Sequence, residues 1–278
     1  MTTIDLGRAE ATAPTVSDPF AVPAAAIAPA RPRLLSYVGR WGRARRWLPA
    51  DALRVLDVGC AFGYGSAAIA AAGPAGQIVV GVENNPGHLE RGRRDFPWVT
   101  ILDADATSLP VPDGCADAVL LLDVIEHLAR PADAITEAHR VLRPGGVVII
   151  SVPHRGPLRH LDALNAYTAL HRRRPGWPPL EPATGSAGGH HRHFAVSELT
   201  ALLAPGFTVD RVTRTGLGLE ELVYLAALLA RVPRGRERVG TAALLLHLAV
   251  YLIDDLAPWG PLGYNLTVRS VRRPEARP

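Results

Sequence analysis

The chain has no lysine, so each of its 30 basic residues is an arginine. It is also rich in alanine, glycine and proline, and this bias indicates a GC-rich genome more than a phosphate-binding surface. The net charge is only +4, and there is no basic strand interleaved with aromatic residues, such as proteins that stack bases use. We therefore expect no nucleic acid among the partners.

Cysteine is scarce as well, with Cys60 and Cys115 the only two. Both fall in or beside predicted strands, which favours buried free thiols over a disulfide, and a cytoplasmic location. Residues 1–31 lack a positively charged start followed by an apolar run, so a secretory signal is not indicated. Because they also lack hydrophobic periodicity, we expect them to form a disordered leader.

No apolar run has the length of a membrane span. The most apolar segment, TAALLLHLAVYLIDDL, contains His247, ends in two aspartates and is shorter than the roughly 20 residues that a span needs. We predict a helix over 240–256 that is buried or covers a substrate. Peripheral contact with a membrane is the less favoured alternative.

The remaining sequence alternates apolar strands with helices. Strands are predicted at 54–58, 77–83, 99–102, 116–122, 147–152, 207–214 and 264–271, and helices at 33–48, 64–72, 86–94, 131–142, 197–203 and 219–231. Continuous apolar strands separated by helices are typical of a parallel sheet covered on both faces. The fold class is therefore α/β with a doubly wound sheet. Ser197 is the predicted N-cap of its helix.

The segment RVLDVGCAFGYGS at 54–66 predicts a ligand site. A short strand runs into a glycine-rich turn and then into a helix of small residues, which leaves backbone N–H groups facing outward. Asp57 lies at the end of the strand. The spacing is D-x-G-x-A-x-G and not the G-x-G-x-x-G of dinucleotide-binding enzymes. A nicotinamide-dependent oxidoreductase is thus disfavoured, and its Tyr-x-x-x-Lys pair is impossible without lysine.

Five motifs in order carry a family resemblance. They are VLDVGCAFGYG at 55–65, GVENN at 81–85, DADATSLPVPDG at 103–114, ADAVLLLDVIEHL at 116–128 and RVLRPGGVVIISVP at 140–153. Together they resemble class I S-adenosylmethionine-dependent methyltransferases, specifically the type-11 (UbiE-like) group. The resemblance implies a Rossmann-like, mainly parallel seven-stranded sheet with an antiparallel last strand and a helical cap, and S-adenosylmethionine as cofactor.

The resemblance also implies a set of cofactor-binding residues. Asp57 would bind the ammonium group, Glu83 both ribose hydroxyls, and Asp105 with the backbone of Ala106 the adenine amino edge. The full predicted set is Asp57, Gly59, Cys60, Ala61, Gly63, Glu83, Asn84, Asp105, Ala106 and Asp123. Residues 123–127 would line the end of the pocket that holds the methyl group.

Histidines are the candidate catalytic residues. His154 follows the fifth strand, where an α/β sheet presents its ligand face. His191 and His193 lie in a long segment rich in proline, glycine and histidine, and loops of that length are usually functional. We predict that these three contact substrate or act as a base. His190, His191 and His193 cluster within four positions, but no carboxylate or cysteine nearby in sequence completes a ligand set, so we expect no metal site.

We expect residues 32–278 to form one methyltransferase domain, with a cofactor-binding core at 53–153 and substrate-cap insertions at 154–195 and 218–258. Because the second insertion is rich in leucine, alanine and valine, the expected acceptor is a small, partly apolar metabolite, methylated in line on oxygen, nitrogen or carbon. A non-catalytic cofactor-binding or partner-binding protein on the same fold is the alternative. The oligomeric state is left open.

Overall fold

The computed structural model describes residues 18–21, 39–174, 191–231, 246, 249–250, 254 and 257–274. Most of the predicted leader 1–31 and of the predicted helix 240–256 lies outside these residues, as do His190 and the first part of the predicted helix 33–48. Within the described part, no helix has the length and apolarity needed to cross a membrane.

Seven strands form one sheet in the order β3-β2-β1-β4-β5-β7-β6. Their bounds are β1 Arg54–Val58, β2 Ile78–Glu83, β3 Thr100–Asp103, β4 Ala116–Leu122, β5 Leu142–Pro153, β6 Phe207–Thr215 and β7 Asn265–Arg272. The first five strands pair in parallel, and β7 is antiparallel to both β5 and β6. The predicted Rossmann-like sheet with an antiparallel last strand is confirmed.

Seven α-helices have described bounds, namely α1 Gly39–Trp47, α2 Tyr64–Ala72, α3 Pro86–Asp95, α4 Pro131–Val141, α5 Ala163–Arg173, α6 Val196–Leu203 and α7 Leu219–Arg231, and residues 246, 249–250 and 254 are helical as well. Helix α5 was not predicted, although Asp162 caps it by accepting a hydrogen bond from the Asn165 N–H at 2.7 Å. The predicted N-cap Ser197 is wrong. Ala195 is the N-cap of α6, because Glu198 accepts its backbone N–H at 2.8 Å.

The core lies on both faces of the sheet. Val119 belongs to one apolar cluster and its neighbour Leu120 to the other, because successive side chains of a strand point to opposite faces. Both side chains are fully buried. This burial explains why the central strands are continuously apolar, as is usual for parallel strands covered by helices.

The sheet brings the ends of four strands to one edge. In the pairing register, Asp57 of β1 lies beside Gly81 of β2 and Leu120 of β4, and Glu83 lies beside Asp103 of β3. Ligands of open α/β sheets bind outside these carboxyl ends, where the strand order reverses. This edge therefore positions the candidate site.

Candidate functional site

An open cleft lies at the carboxyl ends of the strands. Seven of the predicted cofactor-binding residues line it, namely Gly59, Ala61, Glu83, Asn84, Asp105, Ala106 and Asp123. His88 and His127 are further lining residues.

The turn after β1 forms one wall of the cleft through an unusual backbone. Gly59 has a φ of 75°, and a Cβ there would lie 2.4 Å from Val124 Cγ2, so the position requires glycine. Ala61 has a φ of 49°, in the left-handed region that side-chain-bearing residues rarely occupy. The turn is anchored to β2, since the Val82 carbonyl accepts the N–H groups of Gly59 and Cys60 at 2.7 and 3.0 Å.

Glu83 is a hydrogen-bond acceptor that lines the cleft next to the turn. Its side chain lies at the end of β2, where the residue is only 9% exposed. Its Oε2 accepts the Ala61 N–H at 2.9 Å, and its Oε1 accepts the N–H groups of Asn84 and Asn85 at 3.0 and 2.8 Å. A carboxylate offers about four acceptor positions. These three bonds therefore fix its orientation and leave acceptor capacity for a ligand.

Asp105 stands on the exposed rim of the cleft, in the segment after β3. Its Oδ1 accepts the N–H and the hydroxyl of Thr107 at 2.8 and 2.6 Å. Its Oδ2 accepts from the side-chain amide of Asn84 at 3.3 Å. The two predicted residues from different strands are thus brought together at the cleft.

Three of the predicted cofactor residues lie behind the turn and not on the cleft wall. Asp57 is 3% exposed and accepts a hydrogen bond from the Ser66 hydroxyl at 2.6 Å. Burial raises its pKa to about 6. Cys60 is buried against Gly81, and burial raises the pKa of its thiol. Gly63 is the N-cap of α2 with a φ of 72°.

Asp123 connects the cleft with a second, smaller cavity. This residue has a φ of 57° at the end of β4, and it lines both spaces. Its Oδ1 accepts the Ser151 hydroxyl at 2.5 Å, and its Oδ2 pairs with the Arg40 guanidinium of α1. Glu220 of α7 lines the second cavity too, as does Arg40. Helices α1 and α7 therefore both reach this second cavity.

His154, like His191 and His193, is not among the residues that line either cavity. It is 7% exposed, its Nδ1 lies 2.8 Å from the Gly263 carbonyl, and its N–H donates to the Tyr264 carbonyl at 2.6 Å. Burial lowers its pKa. His154 therefore lies at the junction between the end of β5 and the start of β7, where its ring and its N–H contact the backbone.

His191 and His193 meet at a buried carboxylate. His191 Nδ1 lies 3.0 Å and His193 Nε2 lies 3.4 Å from Oδ2 of Asp162, which is 1% exposed. The His191 ring packs edge-on against His127, with centroids 4.7 Å apart, and His127 lines the cleft. Burial, with a smaller contribution from His191, lowers the pKa of His127 to about 4.

The sequence did not show that these groups meet, because 29 residues separate Asp162 from His191. By residue type Asp162 is a candidate base in the same long insertion as the two histidines, but nothing local in the sequence pairs it with His191. Among the described residues, no group of three or more histidine, cysteine, aspartate or glutamate side chains has the arrangement of a metal site.

Comparisons with known proteins find methyltransferases among the relatives of this chain. A family model described as a methyltransferase domain matches residues 56–150, which include the turn, Glu83 and Asp123. A probable S-adenosylmethionine-dependent methyltransferase of Mycolicibacterium smegmatis is 34% identical over 174 residues, covering 60% of this chain and 58% of that relative. A demethylmenaquinone methyltransferase of Clavibacter sepedonicus is 31% identical over 175 residues, covering 52% of this chain and 70% of that relative.

A solved structure is similar as well. Phosphoethanolamine N-methyltransferase 2 of Haemonchus contortus, in complex with S-adenosyl-L-methionine, superposes with a TM-score of 0.53 at 19% identity. The match covers 86% of this chain and 54% of that one. At this identity the likeness shows the fold alone. The chain spans 58% of the length of the Mycolicibacterium relative, so its likeness does not extend to that whole protein.

Proposed function

The chain belongs to the S-adenosylmethionine-dependent methyltransferases with a type-11 methyltransferase domain, and we propose that it transfers a methyl group to a small-molecule acceptor on oxygen, nitrogen or carbon. The observation that carries this proposal is the orientation of Glu83. Its carboxylate is fixed by three backbone N–H groups and retains acceptor capacity in the cleft. A vicinal diol, such as that of a ribose, matches such an acceptor.

The other cleft residues fit the rest of the cofactor. Gly59 keeps the turn free of side chains, and Asp105 and Asn84 offer polar groups on the rim. Asp57, Cys60 and Gly63 would act from behind, by holding the turn in shape. When bound, S-adenosylmethionine supplies a methyl group made electrophilic by a positively charged sulfur. Holding an acceptor in line with such a group can lower a barrier by about 7–11 kcal/mol.

We propose that the Asp162–His191 pair takes up the proton of the acceptor. The buried carboxylate accepts from His191 Nδ1, so the opposite nitrogen, Nε2, is left as the base. His127 lines the cleft, contacts His191 edge-on and stays neutral at physiological pH. His193 would position Asp162 and not contact the acceptor.

We also propose that parts of the segments 154–195 and 218–258 together cover the site within a single domain, 32–278, built on the core 53–153. Helices α5 and α7 come from these two segments and contact each other. The Glu221 carboxylate of α7 accepts the Ala163 N–H at the start of α5, at 2.9 Å. This bond joins the two segments next to Asp162.

The test is calorimetric titration with S-adenosylmethionine and, in parallel, NAD. We expect binding of the first only, and a Glu83→Ala variant should bind it at least tenfold more weakly, because charge-assisted hydrogen bonds contribute about 1.5–3 kcal/mol each. Glu90→Ala, at an exposed position of α3, is the matched control. Circular dichroism should show that both variants are folded.

If the Glu83→Ala variant binds S-adenosylmethionine as tightly as wild type, the assignment of the cleft as the cofactor pocket is wrong. If the wild-type chain binds the cofactor but forms no methylated product with a broad library of acceptors, the non-catalytic alternative gains support.

A further inference from the structure

Helix α7 has no polar face beyond its first turn. Residues 222–230 read LVYLAALLA, so the hydroxyl of Tyr224 is the sole polar side-chain group between Glu221 and Arg231. A helix that is apolar on every side is normally buried on every side, in a protein core or against a membrane. The outward side of α7 is therefore a feature that needs a physical explanation.

That outward side is exposed. Leu228 is buried, but Leu222 and Tyr224 are 46% and 45% exposed, and Leu219 is exposed as well. Leu219 and Leu222 are three positions apart, so they lie on the same side of the helix. Leu246, a helical residue further along the chain, is 57% exposed. Single exposed apolar residues are normal, whereas a group of them indicates an interaction surface.

Two more exposed apolar side chains, Trp259 and Leu262, lie at the edge of the sheet where α7 begins. The Trp259 N–H donates to the Arg214 carbonyl at 2.9 Å, next to the last residue of β6, and α7 starts four residues after that strand. Tryptophan and tyrosine are enriched where proteins meet the boundary between lipid headgroups and acyl chains.

The exposed charges of the two cap segments have one sign. In the described parts of 154–195 and 218–258, Asp162 and Asp254 are buried, Glu220 lines the second cavity and Glu221 accepts an N–H of α5. The exposed charged residues there are all arginines, namely Arg155, Arg159, Arg172, Arg173, Arg174 and Arg192. Arg155 pairs with Glu198 of α6. The partner of this surface should therefore be anionic.

Three of these arginines are consecutive at the end of α5, which packs against α7. Cations beside an apolar helix face suit an anionic bilayer, because apolar side chains enter the acyl boundary while guanidinium groups reach the phosphates. A second copy of the chain fits less well. A twofold dimer on this surface would bring the arginines of both copies together, and like charges repel.

We propose that a docking face binds the surface of an anionic lipid bilayer. This docking face consists of Leu219, Leu222 and Tyr224 of α7 with Arg172, Arg173 and Arg174 of α5. The inference goes beyond the proposed function and does not depend on it. Peripheral contact with a membrane, less favoured by the sequence alone, is favoured by the exposure of α7. A partly apolar acceptor agrees with such docking.

The test is co-sedimentation of the full chain with lipid vesicles, without cofactor or acceptor. Vesicles of phosphatidylglycerol and phosphatidylcholine in equal parts are compared with vesicles of phosphatidylcholine alone. We expect at least tenfold tighter binding to the anionic vesicles, since each arginine that reaches an anionic leaflet contributes a factor of about five. Added salt should weaken this preference. Equal binding to both vesicles, or binding to neither, would overturn the inference.

Apolar variants locate the face on α7. Leu222→Gln combined with Tyr224→Gln should weaken binding to anionic vesicles at least about tenfold, because both lose apolar surface that the bilayer would cover. Leu53→Gln, at an exposed leucine just before β1, is the matched control and should bind like wild type. If the double variant also binds like wild type, the assignment of the face is wrong.

Arginine variants test the other half of the face and serve where the apolar pair does not fold. Arg172→Gln combined with Arg173→Gln should weaken binding about 10- to 30-fold. The matched control removes two exposed arginines of α3 and of the start of α4, Arg94→Gln with Arg130→Gln. An equal loss in this control would show that net charge alone, and not the docking face, binds the vesicles.

Sedimentation equilibrium without lipid tests the remaining occupant. If the chain forms a dimer that Leu222→Gln with Tyr224→Gln dissociates, the face is an interface between two copies and the inference is wrong. Because none of these measurements uses S-adenosylmethionine, their outcome leaves the proposed function unchanged.

Discussion

His191 donates a hydrogen bond to Asp162 across 29 positions of the chain, with 3.0 Å between Nδ1 and Oδ2. Burial alone would raise the pKa of Asp162, but the hydrogen bonds from His191 and from the Asn165 N–H outweigh it, and the pKa is lowered. The group therefore stays ionised and can only accept. This fixes the proton of a neutral His191 on Nδ1 and leaves Nε2 as its basic nitrogen.

Asp162→Asn should remove this orientation without unfolding α5, because asparagine is also a good N-cap. We expect methyl transfer to an acceptor found by screening to fall about 10²- to 10⁴-fold, the usual contribution of general-base catalysis. Affinity for S-adenosylmethionine should not change. His191→Gln should cost a similar factor, and the double variant little more, since residues acting as a unit are not additive. His160→Gln, at an exposed position, is the control, and rates equal to wild type in Asp162→Asn would exclude the pair as base.

Ala61→Gly should stabilise the protein. A left-handed conformation costs a side-chain-bearing residue about 1–2 kcal/mol, and glycine removes this cost. Glycine also makes the unfolded chain more flexible, which offsets about 0.4–1 kcal/mol of the gain. The free energy of unfolding in urea should thus rise by about 0.5–1 kcal/mol. Ala71→Gly, in the regular backbone of α2, should instead lower it by about 1 kcal/mol. A loss of stability in both variants would contradict the strain at position 61.

Asp57→Asn should change how stability depends on pH. The pKa of Asp57 is raised to about 6 in the folded protein, so folding favours its protonated form, and stability falls as pH rises from about 4 through 6. Asparagine cannot ionise and can still accept from Ser66. We expect the variant to gain up to about 3 kcal/mol relative to wild type between pH 4 and pH 7, from two pKa units at 1.36 kcal/mol each.

Urea unfolding of both proteins across the pH range measures this difference. The other buried carboxyl groups are the same in both proteins, so their contributions to the pH dependence of stability cancel. A difference that is constant with pH would show that Asp57 is not the titrating group.

Arg140→Lys should loosen the segment that carries Asp105. Arg140 donates to the carbonyls of Leu109 and Val111 at 2.8 Å and binds Glu137 through two nitrogens. Lysine lacks the planar fork, so we expect a loss of about 1–3 kcal/mol in thermal or urea unfolding. Arg91→Lys, on the exposed face of α3, should change stability by less than about 0.5 kcal/mol. Faster amide exchange in 105–111 would locate the effect.

The sequence predicted the strand bounds best where an apolar run coincides with the buried length of the strand. The bounds of β1 and β4 were predicted to the residue, because their uninterrupted apolar runs end at sharp changes in polarity. The start of β5 was placed at Val147, whereas the strand begins at Leu142. The intervening proline and glycines suggested a turn, but Leu142 pairs with Ala116 of β4 across an irregularity in register.

The alternation of apolar strands and helices predicted the fold class, and the five motifs, through their resemblance, predicted the family and a ligand site at the carboxyl ends of the strands, because such patterns extend over a few residues. Nothing in the sequence indicated that Asp57 and Cys60 lie behind the turn, that His154 is buried between β5 and β7, or that Asp162 contacts His191. Burial and pairing of a charged side chain depend on neighbours that are distant in the chain, and no local pattern encodes which of them arrive.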